Sequence, residues 1–412
     1  MKDILLLGLV IYGVILTIGH LLNRTLRLPW MFTIVLLGMG LTAGGLFTET
    51  VQSAEFALLS RLGMMLFLFN IGLDLDFEQL RHLGAYIVGG DIVLTFVEGI
   101  VIGLFFYLFY PTFVGGSLLV ALVAGLAFGT VGEVILLAIL KEFGVENTRF
   151  GQLALGIGVF DDVFEILTLS IVVMLPAMLG KTSAEGLWRT PLNMVLVLLG
   201  LIGAVLLCAR LGRYTRKWIA RLKPGSFVVP FAIFFVAFAF IYLGSLEFSD
   251  MGTVSAIFAG IAVKQLLPGP VFQHFKQPLF FVANIFLGPF FFFSLGAKMS
   301  LQDIVANPLL VIVVAALALV IRVGLSYGLF HKLLGKRESL VMGVGLTSKF
   351  STSIITENLL LTAGLITPAF YSVLMGAFIL LKPIIVAVFS RGLASMVPEK
   401  AIEDRYAKAE EA

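Results

Sequence analysis

Asp161 and Asp162 stand side by side in the segment GIGVFDDVFEIL, about eleven residues into an apolar run over 150–179. At 1.5 Å per helical residue that depth is about 16 Å, near the middle of a bilayer. An ionisable group there costs a few kcal/mol, so its presence points to function. Neighbouring helical residues point about 100° apart, so the two carboxylates cannot face one partner. One can be held in an ion pair while the other faces a water-filled cavity. Two adjacent carboxylates in low dielectric resist ionising together. Such a pair can hold a proton or a small hard cation in turn, and that competition is the least machinery an exchanger needs. The structural alternative is a buried pair satisfied by arginine and backbone, for which a single acid would suffice.

Other charges interrupt apolar runs at Glu98, Glu133, Glu165, Arg322, Lys349, Glu357 and Lys382. Arg322, in VVAALALVIRVGLSYGLF, is the expected counter-ion of the aspartate pair, since an unpaired buried guanidinium would be very costly. Glu165 follows the aspartates at three- and four-residue spacing on one helical face. It is read as a second partner for Arg322, with a relay in the cation path as the alternative. Two runs carry polar, small-residue breaks. One is AFGTVGEVIL, with Gly129, Thr130, Gly132 and Glu133; the other is GVGLTSKFSTSIIT, with Gly345, Thr347, Ser348, Lys349, Ser351 and Thr352. Breaks of this kind in corresponding places of two halves point to a transporter site. Glu133 and Lys349 would neutralise the dipoles of the half-helix ends, or take part in transport directly. Glu98, Glu357 and Lys382 are expected to snorkel at helix ends or to pair with each other.

The elements that position these residues are membrane spans. Of 412 residues, 59% are hydrophobic and 13% charged, where a soluble domain carries about a quarter charged residues. Thirteen apolar runs are expected as helices, at 4–22, 29–47, 56–74, 84–109, 117–140, 150–179, 191–210, 227–246, 251–267, 278–297, 307–331, 339–361 and 367–390. The run at 4–22 lacks a strongly basic leader and a small-residue cleavage site, so it is read as a retained span. Lysines and arginines alternate between loops: Arg24, Arg27, Arg81, Lys141, Arg149 and the cluster at 210–223 fall on one side. That side is expected to be cytoplasmic, with the N-terminus outside and the C-terminus inside. The basic cluster reads as a helix on the membrane surface connecting two halves, with a lipid-headgroup role as the alternative. The single cysteine, Cys208, precludes an intrachain disulfide. Basic residues at helix ends give no nucleic-acid signal. No nucleophile–base set, phosphate loop or metal cluster suggests an enzyme, and no cofactor is expected.

At this point several segments resemble one family. RLPWMFTIVLLGMGL, LGMMLFLFNIGLDLDFEQLR, FDDVFEI, DMGTVSAIFAGIAV and PLFFVANIFLGPFFFFSLGAKMSL, in this order, are similar to the monovalent cation:proton antiporters. The branch is that of bacterial sodium/proton antiporters and Kef-like potassium-efflux systems. The resemblance implies an all-α polytopic membrane protein of two inverted repeats with crossed broken helices, in a cell inner membrane. It implies dimerisation-domain helices in 1–83 and 227–300 and core helices in 84–180 and 301–392. A linker at 181–226 joins them, and 393–412 forms a short cytoplasmic tail. By position, Asp162 matches the ion- and proton-carrying aspartate and is where the transported Na⁺ or K⁺ would sit. Asp161 matches its salt-bridged neighbour and Arg322 the basic partner. Thr130 falls at the first crossover and Ser348-Lys349 at the second, where the family's Arg-Gly-Glu is absent. Members with an aspartate pair usually have lysine where this chain has Arg322. Arginine keeps its proton through any transport cycle, so one-for-one electroneutral exchange is expected. The implied partners are Na⁺ (or K⁺ or Li⁺), H⁺, the lipid bilayer and a second copy in a homodimer. The leading expectation is Na⁺/H⁺ antiport by alternating access. The alternatives are K⁺/H⁺ antiport or Kef-like efflux, and a Na⁺-coupled organic-anion symporter on a related fold.

Overall fold

The chain is all helix, with no strand among the described residues of a computed structural model. The structure describes residues 2–26, 29–75, 84–132, 136, 139–140, 143–145, 148–179, 189–219, 221, 227–246, 251–349 and 352–394. Among these, eight helices have the length and apolar composition to cross a membrane. The Arg149–Met178 helix is long enough too, but carries Asp161, Asp162 and Glu165. Three apolar helices, Trp30–Ala43, Leu118–Phe128 and Met251–Leu266, are shorter. In hydrocarbon only a helix satisfies its own backbone, and this accounts for the absence of any other regular element.

Two compact units are present. The first comprises Met1–Leu16, Ile34–Asp76 and Leu169–Lys298. Its interior is aromatic: Phe56 meets Phe293 edge-on at 6.1 Å, and Phe67 meets Phe292 edge-on at 5.4 Å. The Tyr12 hydroxyl donates to the Phe286 carbonyl at 2.6 Å. The Arg189–Ile219 helix runs unbroken through 31 residues, so Arg210, Arg213, Arg216 and Lys217 continue the preceding span instead of starting a separate surface helix, and the rest of the cluster except Arg221 lies outside the described residues. Its end is tied down by side chains, Thr215 donating to the Leu266 carbonyl at 2.9 Å and Arg216 Nε to that of Gln265 at 3.1 Å.

The second unit comprises Thr17–Thr33, Phe77–Thr168 and Met299–Ala412. The boundary thus crosses the Arg149–Met178 helix after Thr168, where the sequence suggested a division beyond 180. Within this unit the Ala85–Phe109 and Leu118–Phe128 helices approach backbone to backbone. A Cβ on Gly125 would lie 2.1 Å from the Gly99 carbonyl oxygen. The spacings Gly99–Gly103 and Gly125–Gly129 are the small-residue pattern that permits such contact between membrane helices. Phe106 meets Phe370 edge-on at 4.5 Å, and Phe128 stacks on Phe378 at 5.0 Å, closing the surrounding core.

Candidate functional site

Both polar breaks end a helix. The Leu118–Phe128 helix stops at Gly129, and residues 130–132 leave the helical path. Thr130 turns its hydroxyl back onto the Ala127 carbonyl at 3.0 Å, satisfying one of the acceptors a helix end exposes. The Lys336–Leu346 helix stops at Thr347, whose hydroxyl donates to the Gly343 carbonyl at 2.8 Å. The chain becomes helical again at Thr352–Thr362. The two non-helical stretches meet: the Gly132 N–H donates to the Ser348 carbonyl at 2.6 Å. Backbone freed from one helix is thereby satisfied by backbone freed from the other, as it must be at membrane depth.

Asp161 stands against this junction, fully buried. Its Oδ2 accepts the Val131 N–H at 2.6 Å, and its Oδ1 accepts the Thr95 hydroxyl at 3.1 Å. Asp162 is half-buried on the same helix, and Glu165 is buried one turn on. Of the two adjacent aspartates, Asp161 is the one held at the helix break, through the Val131 amide.

The expected Asp161–Arg322 ion pair is not formed. Arg322, buried in the Pro308–Leu334 helix, directs its Nε at Glu98 Oε2, and Lys349 Nζ reaches the same oxygen at 2.8 Å. The reason is the neighbouring helix. Asp91, Thr95 and Glu98 recur at i, i+4 and i+7 and form one polar stripe on the Ala85–Phe109 helix. Thr95 on that stripe and the Val131 amide take up both oxygens of Asp161, leaving Glu98 to meet the arginine. Glu98 is consequently a doubly paired core group and no snorkelling one, since a fully buried carboxylate must be compensated. Lys382 is also buried: its Nζ donates to Ser348 Oγ at 2.9 Å and lies 5.2 Å from the centre of the Phe32 ring. Lys349 likewise lies 5.3 Å from the centre of the Phe128 ring. Glu357 is buried with no partner on either oxygen among the described residues. Glu133 lies outside the described residues.

Sequence reasoning missed Asp91, which is fully buried and 3.5 Å from the Thr95 hydroxyl. Its signal was available as the four- and three-residue spacing of polar groups in GDIVLTFVEG. Beside it, Arg322 Nη1 and Nη2, Glu98 Oε1 and Asp91 Oδ2 have no partner among the described residues. Buried polar atoms of this kind are costly unless a further polar group meets them.

The chain is similar to known proteins along most of its length. A family described as sodium/hydrogen exchanger, transmembrane, matches residues 13–392. The probable Na⁺/H⁺ antiporter GerT of Bacillus cereus is 26% identical over 80% of this chain and 84% of its own. The Na⁺/H⁺-K⁺ antiporter GerN of the same organism is 23% identical over 83% and 84%. Among solved structures, the sodium proton antiporter MjNhaP1 of Methanocaldococcus jannaschii superposes with a TM-score of 0.61, covering 96% of this chain and 95% of that one at 16% identity. That likeness is one of fold.

Proposed function

We propose that this chain, which belongs to the transmembrane sodium/hydrogen exchanger family, is a secondary active antiporter that exchanges Na⁺ for H⁺ by alternating access. The observation that carries the reading is the carboxylate of Asp161, buried at the junction of two interrupted helices and bound to the Val131 amide, with the half-buried Asp162 next to it in the chain. Asp162, the less buried of the two, is the carrier, holding cation and proton in turn. Asp161 is the fixed member, and the Glu98–Arg322–Lys349 cluster is the charged scaffold behind it. Arg322 keeps its charge throughout, so one cation moves against one proton without net charge. Thr130, Ser348 and Lys349 form the crossover, with Glu133 and Glu165 as accessory acids. The second compact unit acts as the core domain. The first acts as the dimerisation domain of a homodimer, with the N-terminus outside and the C-terminus in the cytoplasm of a bacterial inner membrane. A second reading, K⁺/H⁺ exchange, is favoured by the potassium in the name of GerN.

The test is exchange in proteoliposomes carrying an internal pH dye, driven by Na⁺, Li⁺ or K⁺ gradients. Each gradient is applied with and without a potassium–valinomycin clamp on the membrane potential. Na⁺ is expected to drive proton movement at a rate the clamp leaves unchanged. A response to K⁺ alone would favour the second reading. A potential generated by the protein would contradict electroneutral exchange, and silence towards every cation would end the antiport reading.

A further inference from the structure

We infer that Asp91 is a third carboxylate of the ion site and exchanges a proton with Asp161 through the hydroxyl of Thr95. The inference deepens the antiport reading and rests on it.

Three observations carry it. Thr95 Oγ1 lies 3.1 Å from Asp161 Oδ1 and 3.5 Å from Asp91 Oδ1. A hydroxyl has one hydrogen and two lone pairs. That hydrogen serves one carboxylate at a time, and Asp161 is the nearer; a bond between Thr95 and Asp91 made at the same time needs Asp91 to be protonated and to donate to Oγ1. Second, Asp161 accepts at both oxygens, the pattern of an ionised carboxylate, because Val131 N–H occupies the other one. Third, Asp91 Oδ2 is buried and meets no donor among the described residues, the pattern of a carboxyl that carries its own proton.

The step balances without a further reactant. The Asp91 O–H bond breaks and a new O–H bond forms on Thr95 Oγ1. The original Thr95 O–H bond breaks, and its proton joins Asp161 Oδ1. Asp91 ends as carboxylate, Asp161 as acid and Thr95 as hydroxyl, and the reverse step carries a proton away when a cation enters the Asp161–Asp162 pair. Asp91 stands about 9 Å from the Ala85 end of its helix and Thr95 about 15 Å, so the relay leads from that end towards the site. Asp91 also hydrogen-bonds the Asp161 side chain directly, beside the path through Thr95, and the charged groups acting on it are Arg322 on the Pro308–Leu334 helix and Glu165 on the Arg149–Met178 helix.

The experiment compares two assays in proteoliposomes: Na⁺-driven proton movement across a pH series, and isotopic Na⁺–Na⁺ counterflow, which moves no net proton. D91N and T95V are expected to slow Na⁺/H⁺ exchange on the order of a hundredfold, the low end of what a positioned proton-transfer group contributes. Counterflow should fall by a much smaller factor than exchange, and D91E should restore most of the exchange. Wild-type exchange in D91N would overturn the relay. So would parallel loss of exchange and counterflow, which would make Asp91 a structural or cation-binding group. A wild-type protein silent in both assays would instead sink the antiport reading on which the relay depends.

Discussion

Glu98 holds two cations on one carboxylate oxygen, and it does so with no exposure to solvent. Removing one member of a buried ion pair strands its partner, which typically costs about 3–5 kcal/mol. The cluster makes that cost unequal among its members. Glu98→Gln strands both Arg322 and Lys349, whereas Arg322→Gln leaves the Glu98–Lys349 pair and removes two orphaned guanidinium nitrogens. Thermal unfolding in detergent should therefore place Glu98→Gln well below Arg322→Gln, with the parent above both. An equal or reversed order would show that Glu98 does not hold the cluster together. The residues of this cluster were legible one by one, because each is a charge inside an apolar run. Their pairing was not. Depth along a helix can be counted from a sequence, but the rotation and register that decide whether Arg322 meets Asp161 or Glu98 depend on how neighbouring helices pack.

Glycine spacing sets that packing for the helices that carry the stripe. The Ala85–Phe109 helix presents Asp91, Thr95 and Glu98 to the site while Gly99 and Gly103 lie against the Leu118–Phe128 helix. Ordinarily a glycine-to-alanine change inside a helix gains about 0.5–1 kcal/mol. Here a Cβ on Gly125 meets backbone at 2.1 Å, and backbone cannot give way as a side-chain tip can. Gly125→Val is expected to cost about 1–3 kcal/mol through overpacking and to lower exchange by shifting Thr95 from Asp161. Gly200→Ala, with nothing near its added methyl, is the control and should leave the unfolding temperature unchanged or raised. A Gly125→Val protein as stable and active as its parent would rule out close approach as the positioning device. At this scale the sequence is informative about where helices break, since both polar, glycine-bearing motifs are interruptions. It says less about where helices continue: the basic cluster looks like a separate element, yet the Arg189–Ile219 helix passes straight through most of it. Helical periodicity does not distinguish a continued helix from a new one lying on a surface.

At the level of the whole chain, the site is contained in one compact unit. Asp91, Thr95, Glu98, Val131, Asp161, Asp162, Arg322, Ser348 and Lys349 all belong to the second unit, although the chain contributes them from segments more than two hundred residues apart. Alternating access by motion of one body requires this kind of containment, because a carrier split between two bodies would be dismantled by the motion. On the proposed reading the carboxylates of that unit bind the cargo, and Asp162 is less buried than Asp161. The most direct measurement is Na⁺-driven proton movement by Asp162→Asn in proteoliposomes, paired with its unfolding temperature in detergent. The account predicts exchange abolished at every pH while the protein unfolds at or above the temperature of its parent, the amide being nearly isosteric and uncharged. Exchange at the wild-type rate in that variant would contradict it.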